Sequence, residues 1–198
     1  MGPIATLAVG AASVGAGVRL AQYFDVNPHR LLAVVLVAGA AVGLALILDP
    51  TTDWSTMGWL AVLLCGWTAL SLTDAFRQEI PDLISIPFLL LGLVQQAFLN
   101  MPLMPSVIAI GLLFGLTVLV GMTAAKWRRG VGGGDVVLLG IALAWLGPFA
   151  MVDVLVLAAF FMIPQIAHVV VTGSEDRLPF APAFGAATLF VWIGGPLF

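Results

Sequence analysis

Of 198 residues, 62% are hydrophobic and only 9% charged, and the mean hydropathy is +1.15. Soluble domains carry about 25% charged residues, so this composition excludes a soluble enzyme and implies a polytopic membrane protein. The formal net charge of -3 leaves no basic footprint for nucleic acid, and the single cysteine, Cys65, excludes an internal disulfide framework and a cysteine-built zinc site.

The apolar runs are continuous rather than alternating, which in a bilayer predicts helices. About 20 apolar residues cover the hydrocarbon. On that measure about eight spans are expected, near 3–22, 30–48, 56–76, 83–99, 106–125, 135–147, 150–172 and 180–197. The expected fold is therefore all-α, a polytopic membrane helix bundle. The opening "MGPIATLAVGAASVG" has no basic n-region and is not read as a cleaved signal peptide. Cys65 falls inside the third run and reads as an inert core residue. The sixth run is short, and Gly147-Pro148 breaks it from the seventh.

Charge orients the bundle. Arg19 and Arg30 flank the first connection, Arg77 lies in the third, Lys126, Arg128 and Arg129 in the fifth, and Arg177 in the seventh. All of them share one face of the membrane. The positive-inside rule makes that face cytoplasmic, with both termini outside. Trp54, Trp59, Trp145 and Trp192 fall near outer ends of spans and Trp127 near the inner face, where interfacial anchors are expected.

Most carboxylates read as solvated loop charge: Asp25, Asp49, Asp53, Glu175 and Asp176. Asp153, at the outer start of the seventh span, reads as a cap or an interfacial residue. Asp74 and Asp135 differ. Asp74, in "ALSLTDAFRQEIPD", closes the third span at the cytoplasmic face. Asp135 opens the sixth at the same face, because the intervening hairpin returns the chain to that side. Singly, Asp74 can pair with Arg77 and Asp135 can cap a helix. Together they form a candidate catalytic pair, since acidic residues at the margin of a membrane span carry function by default. In "KWRRGVGGGD", Gly130, Gly132, Gly133 and Gly134 permit close backbone approach and leave space beside Asp135 for another peptide. The cations before them read as an orientation signal and headgroup contact.

At these residues the chain resembles the type IV prepilin peptidases, which are intramembrane aspartyl proteases. "GGGD", Gly132 to Asp135, fits their GxGD motif. Asp74 followed by Ile80-Pro81-Asp82 matches their first aspartate and its downstream segment. "LPFAPAFGAA", with Pro179, Phe180 and Pro182, is similar to their late Pro-Phe-Gly-Pro segment, with Ala181 in place of the glycine. Val137 also departs from the pattern, standing where the family commonly has lysine.

The resemblance implies a six-span peptidase core over residues 51–198, preceded by two spans within 1–50 of unknown role. It implies Asp74 and Asp135 as catalytic residues, Gly132, Gly133 and Gly134 as an active-site loop, and no cofactor or metal. The implied substrate is a prepilin-like membrane protein with a short basic leader, cut at the cytoplasmic face of a prokaryotic plasma membrane. Glu79 and Asp82 are candidate contacts for that leader. Without paired cysteines in a cytoplasmic insert, no N-methyltransferase activity is expected. The helix dipoles suggest Asp135, at a helix N-terminus, as resting base and Asp74, near a C-terminus, as acid. Three other uses stay open: a magnesium site for lipid-phosphate transfer, a proton-coupled transporter, and an inactive family member.

Overall fold

The computed structural model describes residues 11–16, 18–19, 54–124, 133–172 and 178–195. The first two expected spans lie almost wholly outside these residues. So do Arg30, Lys126, Trp127, Arg128, Arg129, Arg177, Gly130, Gly132 and all the carboxylates assigned to loops. Residues 11–16 are helical. The remaining elements run α1 (Trp54–Arg77), α2 (Asp82–Phe98), α3 (Leu103–Ala124), α4 (Gly133–Leu146), a 3-10 turn (Pro148–Ala150), α5 (Met151–Thr172) and α6 (Ala181–Gly194). Among the described residues the fold is all-helical, as the continuous apolar runs require.

The helices stop where the backbone chemistry says they should. Gln78 takes φ 55° after α1, and its N–H bonds the Asp74 carbonyl at 2.9 Å. Asn100, at φ 56°, ends α2 in a Schellman motif: its N–H reaches the Ala97 carbonyl and that of Met101 reaches Gln96. Gly147 and Gly195, both at positive φ, close α4 and α6.

Among the described residues three helical stretches are long and apolar enough to cross a membrane: Ser55–Arg77, Leu103–Val120 and Pro148–Val171. The other three are shorter, the sixth expected span among them. Helix α2 has 17 residues, and α4 and α6 have 14 each. At ~1.5 Å per residue, 14 residues cover ~21 Å. Backbone signals set these ends: Pro81 and Asn100 bound α2, Gly147 closes α4 and Gly195 closes α6.

Helix α4 is the centre of the bundle, packing on α2, α3, α5 and α6, while α1 packs on α6 and α2. The core holds Leu63, Trp67, Leu70, Phe88, Leu138, Ile141, Trp145, Phe184 and Val191. Its aromatic spine runs from Trp67 to Phe88 (ring centroids 5.9 Å apart) and on to Trp145 (5.2 Å). Trp145 is fully buried, and its Nε1–H donates to the Phe88 carbonyl at 3.0 Å. It is a core residue, not the interfacial anchor expected from its position near a span end. Asp153 likewise is 1% exposed in the first turn of α5, so it is not interfacial. Cys65 is only half-buried. Helix α3 turns most of its surface outward, with Met104, Ile108, Leu112, Leu116 and Val118 exposed.

Two sets of contacts fix the ends of the bundle. At one end the Gln96 amide donates to the Leu143 carbonyl at 3.0 Å and accepts from the Ser106 hydroxyl at 2.8 Å. That knot ties the C-terminal ends of α2 and α4 to the start of α3. At the other end lie the C-terminus of α1, the 78–81 connection and the N-termini of α4 and α6. This alternation is the one the charge parity required over the same segment.

Candidate active site

On α1, residues 67, 71 and 74 follow helical i, i+4, i+7 spacing and share one stripe. That stripe faces the first turns of α6. Gly185 lies against the Trp67 ring and the Ser71 hydroxyl. The Ser71 hydroxyl donates to the Ala181 carbonyl at 3.3 Å, and the Ala181 N–H donates to Asp74 Oδ2 at 2.7 Å. Asp74 is 9% exposed and Ala181 fully buried.

Asp135 stands in the first turn of α4, third after its start at Gly133, and is half-buried. It is therefore a first-turn residue rather than the cap itself. It lies close enough for its charge to act on the Asp74 carboxyl. The two aspartates predicted as a pair thus stand at one end of the bundle, Asp74 on α1 and Asp135 on α4, with the start of α6 donating to Asp74. At this margin the N-terminal ends of α4 and α6 concentrate unpaired N–H groups, which favours anionic groups there.

The assignment of acid and base from helix ends loses its basis. Asp74 does close α1, but the N-terminus of α6 faces the same carboxylate and donates to it. Both aspartates are served by positive helix ends, so the dipoles do not separate their roles.

The glycine loop also differs from expectation. A Cβ on Gly134 would stand 2.9 Å from Ile80 Cδ1 and 3.3 Å from Cγ1. The space read as room for a substrate backbone is, at Gly134, filled by Ile80 from the α1–α2 connection. The motif glycine and the motif isoleucine are packing partners. Gly132 lies outside the described residues.

Of the remaining predicted residues, Glu79 and Asp82 are exposed at this end, Asp82 opening α2 with Pro81 before it. Pro179 is half-buried and Phe180 is 40% exposed beside Asp74. Pro182 lies in the first turn of α6. Val137 packs against the core. Among the described residues no three His, Cys, Asp or Glu side chains gather as a metal site needs. Sequence reasoning missed Ser71 and the Ala181 amide. The signal for Ser71 was its place one turn before Asp74.

An all-helical bundle with three membrane-length apolar helices among the described residues makes this an integral membrane protein. A family model described as the type IV leader peptidase family matches residues 60–166, and the chain belongs to that family. Both aspartates fall within the match. The chain is also similar to a protein of Escherichia coli O78:H11 (strain H10407 / ETEC) described as a type 4 prepilin-like proteins leader peptide-processing enzyme. They are 28% identical over 151 residues, 70% of this chain and 54% of the relative. The chain thus spans about half the length of that curated relative. No solved structure matches.

Proposed function

We propose that the protein is an aspartyl endopeptidase that removes the short basic leader of prepilin-like precursors at the cytoplasmic membrane face, without methylating the new N-terminus. The meeting of Asp74 and Asp135 carries this reading. One carboxylate, ionised, takes a proton from water as its oxygen bonds to the scissile carbonyl carbon. The other, protonated, gives its proton to the carbonyl oxygen. The tetrahedral intermediate then collapses, the C–N bond breaks, and the amine leaves with a proton. In this mechanism one carboxylate of the pair carries the proton and the other is ionised, and the titration belongs to the pair.

The scissile bond of such a substrate lies where a basic leader meets an apolar helix. A site at the ends of α1, α4 and α6, with exposed Glu79 and Asp82 beside it, fits that boundary. One cysteine in the whole chain leaves no paired-cysteine motif for the second activity known from the resemblance.

The test is co-expression with prepilin-like proteins from the same genome, following leader removal by gel shift and N-terminal sequencing. Wild-type cleavage, abolished by Asp74→Asn and by Asp135→Asn in folded protein, is the expected result. Cleavage that survives both substitutions overturns the mechanism.

A further inference from the structure

Asp74 owes its setting to a helix that begins 107 residues later, and something must hold that helix in register. The Ala181 backbone is held at both its N–H and its carbonyl by one turn of α1. Its N–H goes to Asp74 Oδ2 at 2.7 Å, and its carbonyl accepts from the Ser71 hydroxyl at 3.3 Å. Ser71 is 7% exposed and Ala181 is fully buried, so water competes little for either bond. Gly185, one turn into α6, lets the two helices close: a Cβ there would meet Ser71 Oγ at 3.2 Å and Trp67 Cε3 at 3.1 Å.

We infer that Ser71 is a positioning residue for the peptidase reaction, holding the first turn of α6 so that its amide remains aimed at Asp74. This rests on the peptidase reading above. Ser71 does not touch the reacting atoms. Its hydroxyl restrains a backbone unit whose other end does. The Ala181 carbonyl also lies in the first turn of a helix, where the i+4 amide is its usual partner. The serine bond therefore adds a tether between helices rather than satisfying an orphan group. The i, i+3 spacing of Ser71 and Asp74 puts both side chains on one face of α1, where they reach the N–H and the carbonyl of the same residue.

The experiment compares Ser71→Ala, Ser71→Val and Ser71→Thr with wild type, using a detergent-solubilised enzyme and a prepilin-like substrate that wild type cleaves and Asp74→Asn does not. That pair of controls tests the peptidase reading separately. Valine and threonine have nearly one shape and differ in the hydroxyl, so their ratio isolates the bond even where alanine impairs folding. The expected outcome is a loss of about tenfold in kcat for valine and alanine with KM within about twofold, and near-wild-type kcat for threonine, as for one hydrogen bond removed. In protein labelled with ¹⁵N-alanine, the Ala181 amide proton resonance should move upfield in Ser71→Val and stay in place in Ser71→Thr. Equal kcat for valine and threonine, or an Ala181 resonance unmoved by the loss of the hydroxyl, overturns the inference.

Discussion

Gly134→Ala separates two explanations of the glycine-rich loop. In the first turn of α4 alanine gains up to ~1 kcal/mol of helix propensity over glycine. Against that gain, the new Cβ would sit 2.9 Å from Ile80 Cδ1 and 3.3 Å from Cγ1, whereas carbon atoms rest about 3.5–4.0 Å apart. Relief needs a shift of about 0.6 Å, and overpacking of this kind costs ~1–3 kcal/mol. Ile80 is itself packed against the core, so the shift falls on the first turn of α4; the propensity gain offsets part of the cost, and net stability changes by ~1 kcal/mol. Catalysis is the sharper readout. The next residue is Asp135, and a displacement of about 1 Å in a catalytic group can cost about a hundredfold. A shift of about half that predicts roughly a tenfold loss of kcat. Ile80→Val removes Cδ1, so the double variant Ile80→Val/Gly134→Ala should recover to within about threefold of Ile80→Val alone. Cleavage kinetics on purified protein, with unfolding followed in mixed micelles, give both terms of the cycle. A double variant no faster than Gly134→Ala would refute the packing account and return the glycine to a role in admitting substrate.

Further predictions follow from the two ends of the bundle. Gln96→Leu leaves the buried Ser106 hydroxyl without its acceptor and strips the Leu143 carbonyl of one of its two donors, the Gly147 N–H remaining at 2.9 Å, and should lower stability by ~1–2 kcal/mol. The kcat of the folded fraction should not change, because the knot lies at the far end from the aspartates. Trp145→Phe keeps most of the ring packing but removes the bond to the Phe88 carbonyl, and ~1–2 kcal/mol is expected from the same unfolding assay. Gly92→Ala should be worse than Gly134→Ala: its Cβ would lie 2.9 Å from the backbone carbon of Ala144 and 2.6 Å from Trp145 Cδ1. Backbone cannot swing aside, so α2 and α4 must separate, and a loss above ~2 kcal/mol is expected. A stability equal to wild type would show that this crossing is looser than described. Finally, the pH–rate profile should be bell-shaped, both limbs belonging to the aspartate pair.

Much of this architecture was legible from simple rules. Continuous apolar runs located each helix of the described core within a few residues, and charge parity placed Asp74 and Asp135 at one end before any coordinates were considered. The Gly147-Pro148 break was visible too. What escaped was whatever depends on partners distant in sequence. No periodicity reveals that Ala181 donates to Asp74, because α6 reaches α1 only through the packing of α4 and α5 around them. Trp145 was misread for a related reason. A tryptophan near a span end normally anchors at the interface, but here the glycine at position 92 draws α2 close enough to bury the ring. The acid and base assignment failed because it considered one helix end per aspartate, whereas Asp74 answers to two. Asp153 looked interfacial in sequence because the 3-10 turn that tucks α5 inward is set by tertiary contacts.

The shortness of α4 and α6 bears on the depth of their first turns. Each covers ~21 Å against a hydrocarbon layer of ~30 Å. Helix α4 is packed on four neighbours, so protein rather than lipid takes up that difference. The helices that carry the largest outward apolar surface, α3 and α5, have 22 residues each and cover ~33 Å. A short helix held among longer ones begins below the level at which they end. A polar first turn can then lie at membrane depth because protein covers it, the one setting in which irregular backbone is tolerated there.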